Sequence, residues 1–246
     1  MILAFRAAGS TIFSSMKLRS FCLGAFALIL LVLANSVHAI DAGQVDDFQD
    51  GTVRDWINGG GSPVLNIDTG GPTGAGDRYL QISSTGSIEP GGRLTVLNLI
   101  QWVGNYIAAG VTAIEIDLRN EGAVDLSIRL AFKESFGFGT PGYLSQPMIL
   151  PAGSGWLHFS ISLAPGNLIA VGDPAPYATF FSTGNGEMRI INAVGTSNLI
   201  GDPIAAQLGI DNIRAVPEPA TTALLGTGML LLAARLARGK RGSTRV

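Results

Sequence analysis

Three segments of the chain alternate apolar and polar residues with a period of two, and no other feature narrows the fold as far. Ile114, Ile116 and Leu118 alternate with Glu115, Asp117 and Arg119. Leu126, Ile128, Leu130 and Phe132 alternate with Asp125, Ser127, Arg129 and Ala131, and Leu157, Phe159, Ile161 and Leu163 with Trp156, His158, Ser160 and Ser162. A strand sends successive side chains to opposite faces, so each segment predicts one face in a core and one in solvent, as in antiparallel sheets. Weaker strand patterns cover 45–49, 54–58, 63–68, 78–83, 93–98, 143–149, 187–193 and 206–214. Glycine-rich turns separate them at 59–62, 69–77, 137–142 and 183–186, and residues 99–110 read as a short helix. Strands at this spacing predict an all-β fold, a two-sheet antiparallel β-sandwich of jelly-roll type. The chain shows no internal repeat, which argues against a propeller or solenoid.

Charge divides the 246 residues into three parts. Residues 1–39 carry Arg6, Lys17 and Arg19 and no acid. Residues 40–215 hold 8 basic and 17 acidic residues, a net charge of −9. Residues 216–246 set Glu218 against Arg235, Arg238, Lys240, Arg241 and Arg245. An acidic middle argues against nucleic acid as a partner.

The ends read as addresses rather than domain. Lys17 and Arg19 precede an uncharged run from Ser20 to Ala34, and Val37-His38-Ala39 offers small residues at a cleavage site. That order predicts a secretory signal peptide over 1–39, handled by the Sec export machinery and cut between Ala39 and Ile40. Met16 stands directly before Lys17 and is a second candidate start, which would leave residues 1–15 untranslated. Cys22, the single cysteine, falls inside the apolar run, so a domain starting at Ile40 has none. At the other end Ala220 to Ala234 is uncharged and Arg235 follows. As a helix, 15 residues span about 22 Å, and snorkelling of Arg235 extends the span through about 237. The prediction is a membrane helix over about 220–237 with a basic tail, 238–246, on the cytoplasmic side.

Val216-Pro217-Glu218-Pro219 precedes that helix. Two prolines one residue apart forbid helix and leave an extended segment that a processing enzyme can grip. Pro217-Glu218-Pro219, the short Leu/Ala/Gly helix and the Arg-rich end together resemble the PEP-CTERM sorting signal of Gram-negative exported proteins. The resemblance implies that an exosortase recognises Pro217, Glu218 and Pro219, removes the anchor, and releases the protein to the cell surface or outside. It also implies a role in exopolysaccharide-rich surfaces or biofilm.

Within residues 40–215, Asp46-Asp47-Phe48-Gln49-Asp50-Gly51-Thr52 with Trp56 resembles the opening strand of carbohydrate-binding-module or galactose-binding-like jelly rolls. Leu208-Gly209-Ile210-Asp211-Asn212-Ile213 resembles their closing strand. The resemblance implies a structural calcium ion beside these strands, and Asp46, Asp47, Asp50 and Asp211 are the carboxylates at hand. No other cofactor is expected.

Catalytic motifs are scarce. The spaced glycines of 137–142 lead into a strand pattern, not the helix that a dinucleotide loop needs, and no Gly-x-Ser-x-Gly elbow occurs. His158 falls on the polar face of its strand. Glu115 and Asp117 share a strand face, which keeps open a carboxylate-based glycan hydrolase or lyase. For a noncatalytic sugar binder the requirement is aromatic rings that stack on pyranoses, and Trp156, Trp102 and Tyr143 are the candidates, Trp156 pointing away from its strand's apolar face. The expected function is an exported, noncatalytic, polysaccharide-binding surface or matrix protein. The hydrolase or lyase and a structural or adhesive protein without a small ligand stay open.

Overall fold

The computed structural model describes residues 40–59, 62–89, 91–137 and 139–218. The predicted signal peptide with Ala39, the residue Pro219, the apolar span and the basic tail lie outside the described residues. Twelve strands are described: β1 (Val45–Asp46), β2 (Leu65–Ile67), β3 (Tyr79–Thr85), β4 (Thr95–Asn98), β5 (Val111–Asn120), β6 (Leu126–Lys133), β7 (Gly142–Ser145), β8 (Met148–Leu150), β9 (Leu157–Ser162), β10 (Leu168–Val171), β11 (Glu187–Asn192) and β12 (Ala205–Pro217). They form two antiparallel sheets. The first orders β2-β3-β12-β5-β9 with β1 also paired to β12, and the second orders β10-β7-β6-β11-β4 with β8 also paired to β6. Among the described residues no helix is long and apolar enough to cross a membrane.

The predicted alternation shows directly in β5, where Ile114, Ile116 and Leu118 are fully buried and Glu115, Asp117 and Arg119 are not. Their partners across the core include Ile128, Leu130 and Phe132 of β6 and Met188 and Ile190 of β11. Rings fill the space between the sheets: Trp56, Trp102, Tyr106, Phe132, Phe180 and Phe181 are buried, with Tyr106 edge-on to Phe132 at 5.7 Å and Phe132 to Phe181 at 5.3 Å. Burying side chains of this size stabilises the fold by about 1.5–3 kcal/mol each.

Four local expectations change. Residues 54–58 turn rather than extend, with Arg54 and Asp55 at φ of 49° and 58°, and only Ile57 bridges to Leu97. Residues 99–110 are successive turns instead of a helix, closed by backbone bonds such as Gly110 N–H to Ile107 O. The run 143–149 divides into β7 and β8 at Gln146-Pro147, because proline has no N–H to give a ladder. Leu168–Val171, too short to show a period, pairs with β7 as β10.

The largest correction concerns the second sheet's outer face. Periodicity places Arg129 in solvent, yet it is 5% exposed and its neighbour Lys133 is 0% exposed. Ala131, Leu144, Ile191, Ala193 and Leu199 form a second apolar cluster there, with Leu199 supplied by the β11–β12 loop. A loop remote in sequence covers the face, so its charged residues are buried although their strand positions point outward.

Candidate functional site

β12 changes partners partway along. On one side it pairs with β3 through Ala205–Ile210 and then with β1 through Ile213 and Arg214. On the other its register with β5 shifts between Asp211 and Arg214. Asp211 and Asn212 occupy the break, Asn212 with φ of 49°. Asp211 is fully buried; its Oδ1 accepts the Asn212 N–H at 2.7 Å and its Oδ2 has no hydrogen-bond partner. Burial, helped by repulsion from Asp77, Asp117 and Asp47, pushes its pKa up to about 8. Asn212 Nδ2 donates to Asp117 Oδ2 at 2.8 Å, and Asp117 Oδ1 lies 2.8 Å from His158 Nδ1.

The four aspartates expected around calcium are not gathered as a chelate. Asp46 is 2% exposed, and its Oδ2 accepts the indole N–H groups of both Trp56 and Trp102 at 2.7 Å, which spends that oxygen inside the core. Asp50 accepts the backbone N–H and hydroxyl of Thr52 at 2.9 Å and pairs with Arg54 at 2.9 Å. Those Thr52 bonds hold the Asp50 carboxyl below its usual range. Asp47 faces Arg54 at 3.7 Å and accepts the Gln49 N–H. Among the described residues no three His, Cys, Asp or Glu side chains are close enough to hold a metal ion. Asp46 and Asp50 as placed spend their carboxylates on other partners, while Asp211 keeps an unpartnered oxygen, with Asp47, Asp77 and Asp117 near enough to repel its charge.

The aromatic candidates separate just as clearly. Trp102 is fully buried and bonded to Asp46, so it cannot stack on a sugar. Tyr143 is 8% exposed, its hydroxyl donates to Ala175 O at 2.9 Å, and Phe180 packs on it at 4.9 Å. Both are corrections: their rings serve the core. Trp156 is half-buried on the outer face of the first sheet. Its indole N–H donates to Gly70 O at 2.9 Å, Tyr79 meets it edge-on at 5.2 Å, and the Arg119 guanidinium lies over both rings at 5.3 and 5.0 Å. Glu121 pairs with Arg119 and accepts the Tyr79 hydroxyl at 3.0 Å. This box of rings and charges uses one face of Trp156 internally.

The outer face of the second sheet holds a cavity of about 290 Å³ that sequence reasoning did not find. Ile88 from the β3–β4 loop, Phe136 from the β6–β7 loop and Ile200 from the β11–β12 loop line it beside Arg93, Thr95 of β4 and Arg189 of β11. Asn58 and Glu89 also line it. A second cavity of about 260 Å³ also has Ile200 in its wall, with Lys133, Thr140, Asn198 and Leu199. Beneath, Glu187 accepts from Arg189 Nε and lies 3.5 Å from Lys133 Nζ. Burial lowers the Lys133 pKa, Arg189 adds to that, and Glu187 opposes it. Strand register explains the cluster: Glu187 is opposite Lys133, and Arg189 is opposite Ala131 on one side and Leu97 on the other. The only sequence signal was charge at alternate positions of β6 and β11, which reads as ordinary solvated surface.

The sorting triplet begins in this domain. β12 ends at Pro217, which is exposed, and the Glu218 N–H donates to Gly110 O at 2.9 Å. Residues 215–241 match the PEP-CTERM protein-sorting motif. That motif marks an exported protein anchored through its C-terminus before processing. No curated protein sequence matches the chain. Among solved structures, an exo-beta-agarase aligns at a TM-score of 0.51 and 11% identity, over 72% of this chain and 26% of that one. The family 11 carbohydrate-binding module from Clostridium thermocellum, in complex with a beta-1,3-1,4-mixed-linked tetrasaccharide, aligns at 0.46 and 16% identity, over 72% and 96%. The CBM22-1 xylan-binding domain from Paenibacillus barcinonensis aligns at 0.43 and 14% identity, over 73% and 99%. The two-sheet antiparallel β-sandwich is thus an architecture that this chain has in common with part of an agarase.

Proposed function

We propose that the β-sandwich is a noncatalytic carbohydrate-binding domain of an exported protein that exosortase sorts and releases. It would work at an exopolysaccharide-rich surface or in biofilm, and its ligand site is the 290 Å³ cavity on the second sheet. The observation that carries the reading is the cavity's mixed lining. A sugar ring offers apolar C–H faces ringed by hydroxyls, and here Ile88, Phe136 and Ile200 stand beside the planar polar groups of Asn58, Arg93 and Arg189. A largely apolar concavity with a few convergent polar groups is the usual form of a small-molecule site. The noncatalytic reading draws support from the one candidate carboxylate pair. Both Asp117 oxygens are engaged, by His158 and Asn212, and Glu115 lies opposite Arg214 of β12.

Affinity electrophoresis of the full chain in detergent, through gels carrying neutral or acidic polysaccharides, tests this. Retardation by at least one polysaccharide is the expected result, and no retardation by any of them overturns the proposal. Phe136 is 61% exposed, so Phe136→Ala should fold. Losing one aromatic contact worth about 1 kcal/mol should weaken binding about fivefold.

A further inference from the structure

The domain carries net negative charge, yet the cavity proposed as its sugar site is lined by two cations, Arg93 and Arg189, of which Arg189 pairs with Glu187, and by one acid, Glu89. Arg189 is 5% exposed, and among the described residues its only side-chain hydrogen bond runs from Nε to Glu187. Arg93 donates from Nη1 to Gly201 O and forms no ion pair among the described residues. A guanidinium has five N–H donors, so each arginine keeps most of its donors for something else. Lys133 and Glu187 below offset one another, and Glu89 is exposed at the rim. The Thr95 hydroxyl, buried in the same wall, has no hydrogen-bond partner. The Nη atoms of Arg93 and Arg189 are not among the buried polar atoms that lack a partner, so they are open to water, which an arriving anion with several acceptor oxygens can replace.

Resting on the carbohydrate-binding reading, we infer that this cavity takes a carboxylate-bearing sugar, a uronate unit of an acidic polysaccharide, with its carboxylate between Arg93 and Arg189. A carboxylate matches the planar guanidinium fork in two parallel hydrogen bonds, which a neutral hydroxymethyl group cannot do. Thr95 then donates to the same carboxylate, and Phe136, Ile88 and Ile200 cover the ring's apolar face. The surrounding acidic domain does not forbid this approach, because at physiological salt charges beyond about 8 Å are largely screened. The apolar wall makes recognition depend on the ring as well as the charge, which separates this site from a general polyanion patch.

The test measures equilibrium binding of the full chain in detergent to fluorescent trisaccharides of galacturonate, mannuronate and glucuronate. Each is paired with its carboxyl-reduced, neutral counterpart, and dextran sulfate serves as a sugar polyanion without carboxylate. At least one uronate trimer should bind about tenfold or more tighter than its reduced form. Arg93→Gln and Arg189→Gln should each weaken binding of the uronate more than binding of its reduced form, so that the preference disappears. Arg93 is half-exposed, so Arg93→Gln keeps the test decisive if Arg189→Gln unfolds. Equal binding of acidic and reduced trimers overturns the uronate inference and leaves the carbohydrate reading intact. Binding of no trimer while neutral polysaccharide gels still retard the chain does the same, and silence in both assays overturns both. Dextran sulfate binding as tight as the uronates, or a preference unchanged in Arg93→Gln, also overturns the inference.

Discussion

Asp46 and Asp211 were both read as metal ligands, and each shows how a carboxyl side chain's role follows from what surrounds it. Asp46 receives two indole N–H bonds, one from ten residues away and one from fifty-six away, so it joins Trp56 and Trp102 through a single oxygen. Asp211 has no such donors at Oδ2, and burial beside other carboxylates disfavours its charge. Its pKa rises from 3.8 to about 8 on folding. Between those values the folded state holds a proton that the unfolded chain has lost, so stability falls as pH rises through this window and levels off above it. Asp211→Asn, which mimics the neutral carboxyl, should flatten that decline and raise the melting temperature most near pH 8. Thermal unfolding of parent and variant between about pH 5 and about pH 9 checks this. A parent whose stability rises across the window would remove the neutral assignment.

At the scale of elements, the closing strand β12 organises the first sheet. It spans 13 residues, pairs with β1, β3 and β5, and takes its register shift where Asp211 and Asn212 sit. Gly209 makes room for the ring box above it. A Cβ there would lie 3.0 Å from Trp156 Cη2 and 3.2 Å from Tyr79 Cε2, tighter than ordinary contact. Gly209→Ala should therefore push the rings off β12 and cost about 1–3 kcal/mol, as overpacking does. Denaturant unfolding measures the loss, and quenching of Trp156 fluorescence should change with it. Strand pattern predicted the extents of β5, β6 and β9 closely because alternation is local, but the burial of the faces departs from it in β6, where Arg129 and Lys133 are buried, and in β9, where Leu157 is 38% exposed. It missed β10 because four residues show no period, and it read 54–58 as strand because the left-handed turns at Arg54 and Asp55 have no glycine to announce them.

For the molecule as a whole, the core between two sheets supplies stability without cross-links. The sequence has one cysteine, so no disulfide can form within the chain. Its melting temperature should be the same with and without a thiol reductant, and a reductant-dependent fall in dilute protein would contradict that account. The apolar periodicity and the end signals were legible in the sequence alone: a β-sandwich architecture, its inward faces, and a sorting motif now matched over 215–241. These are local properties, set by which residues alternate and which runs lack charge. The cavity was not legible. Arg93, Arg189, Lys133 and Glu187 look like solvated charges until the loops carrying Phe136 and Ile200 fold back over the sheet. Periodicity tells which side of a strand a residue faces; whether that side meets water depends on segments far along the chain, and only tertiary packing decides it.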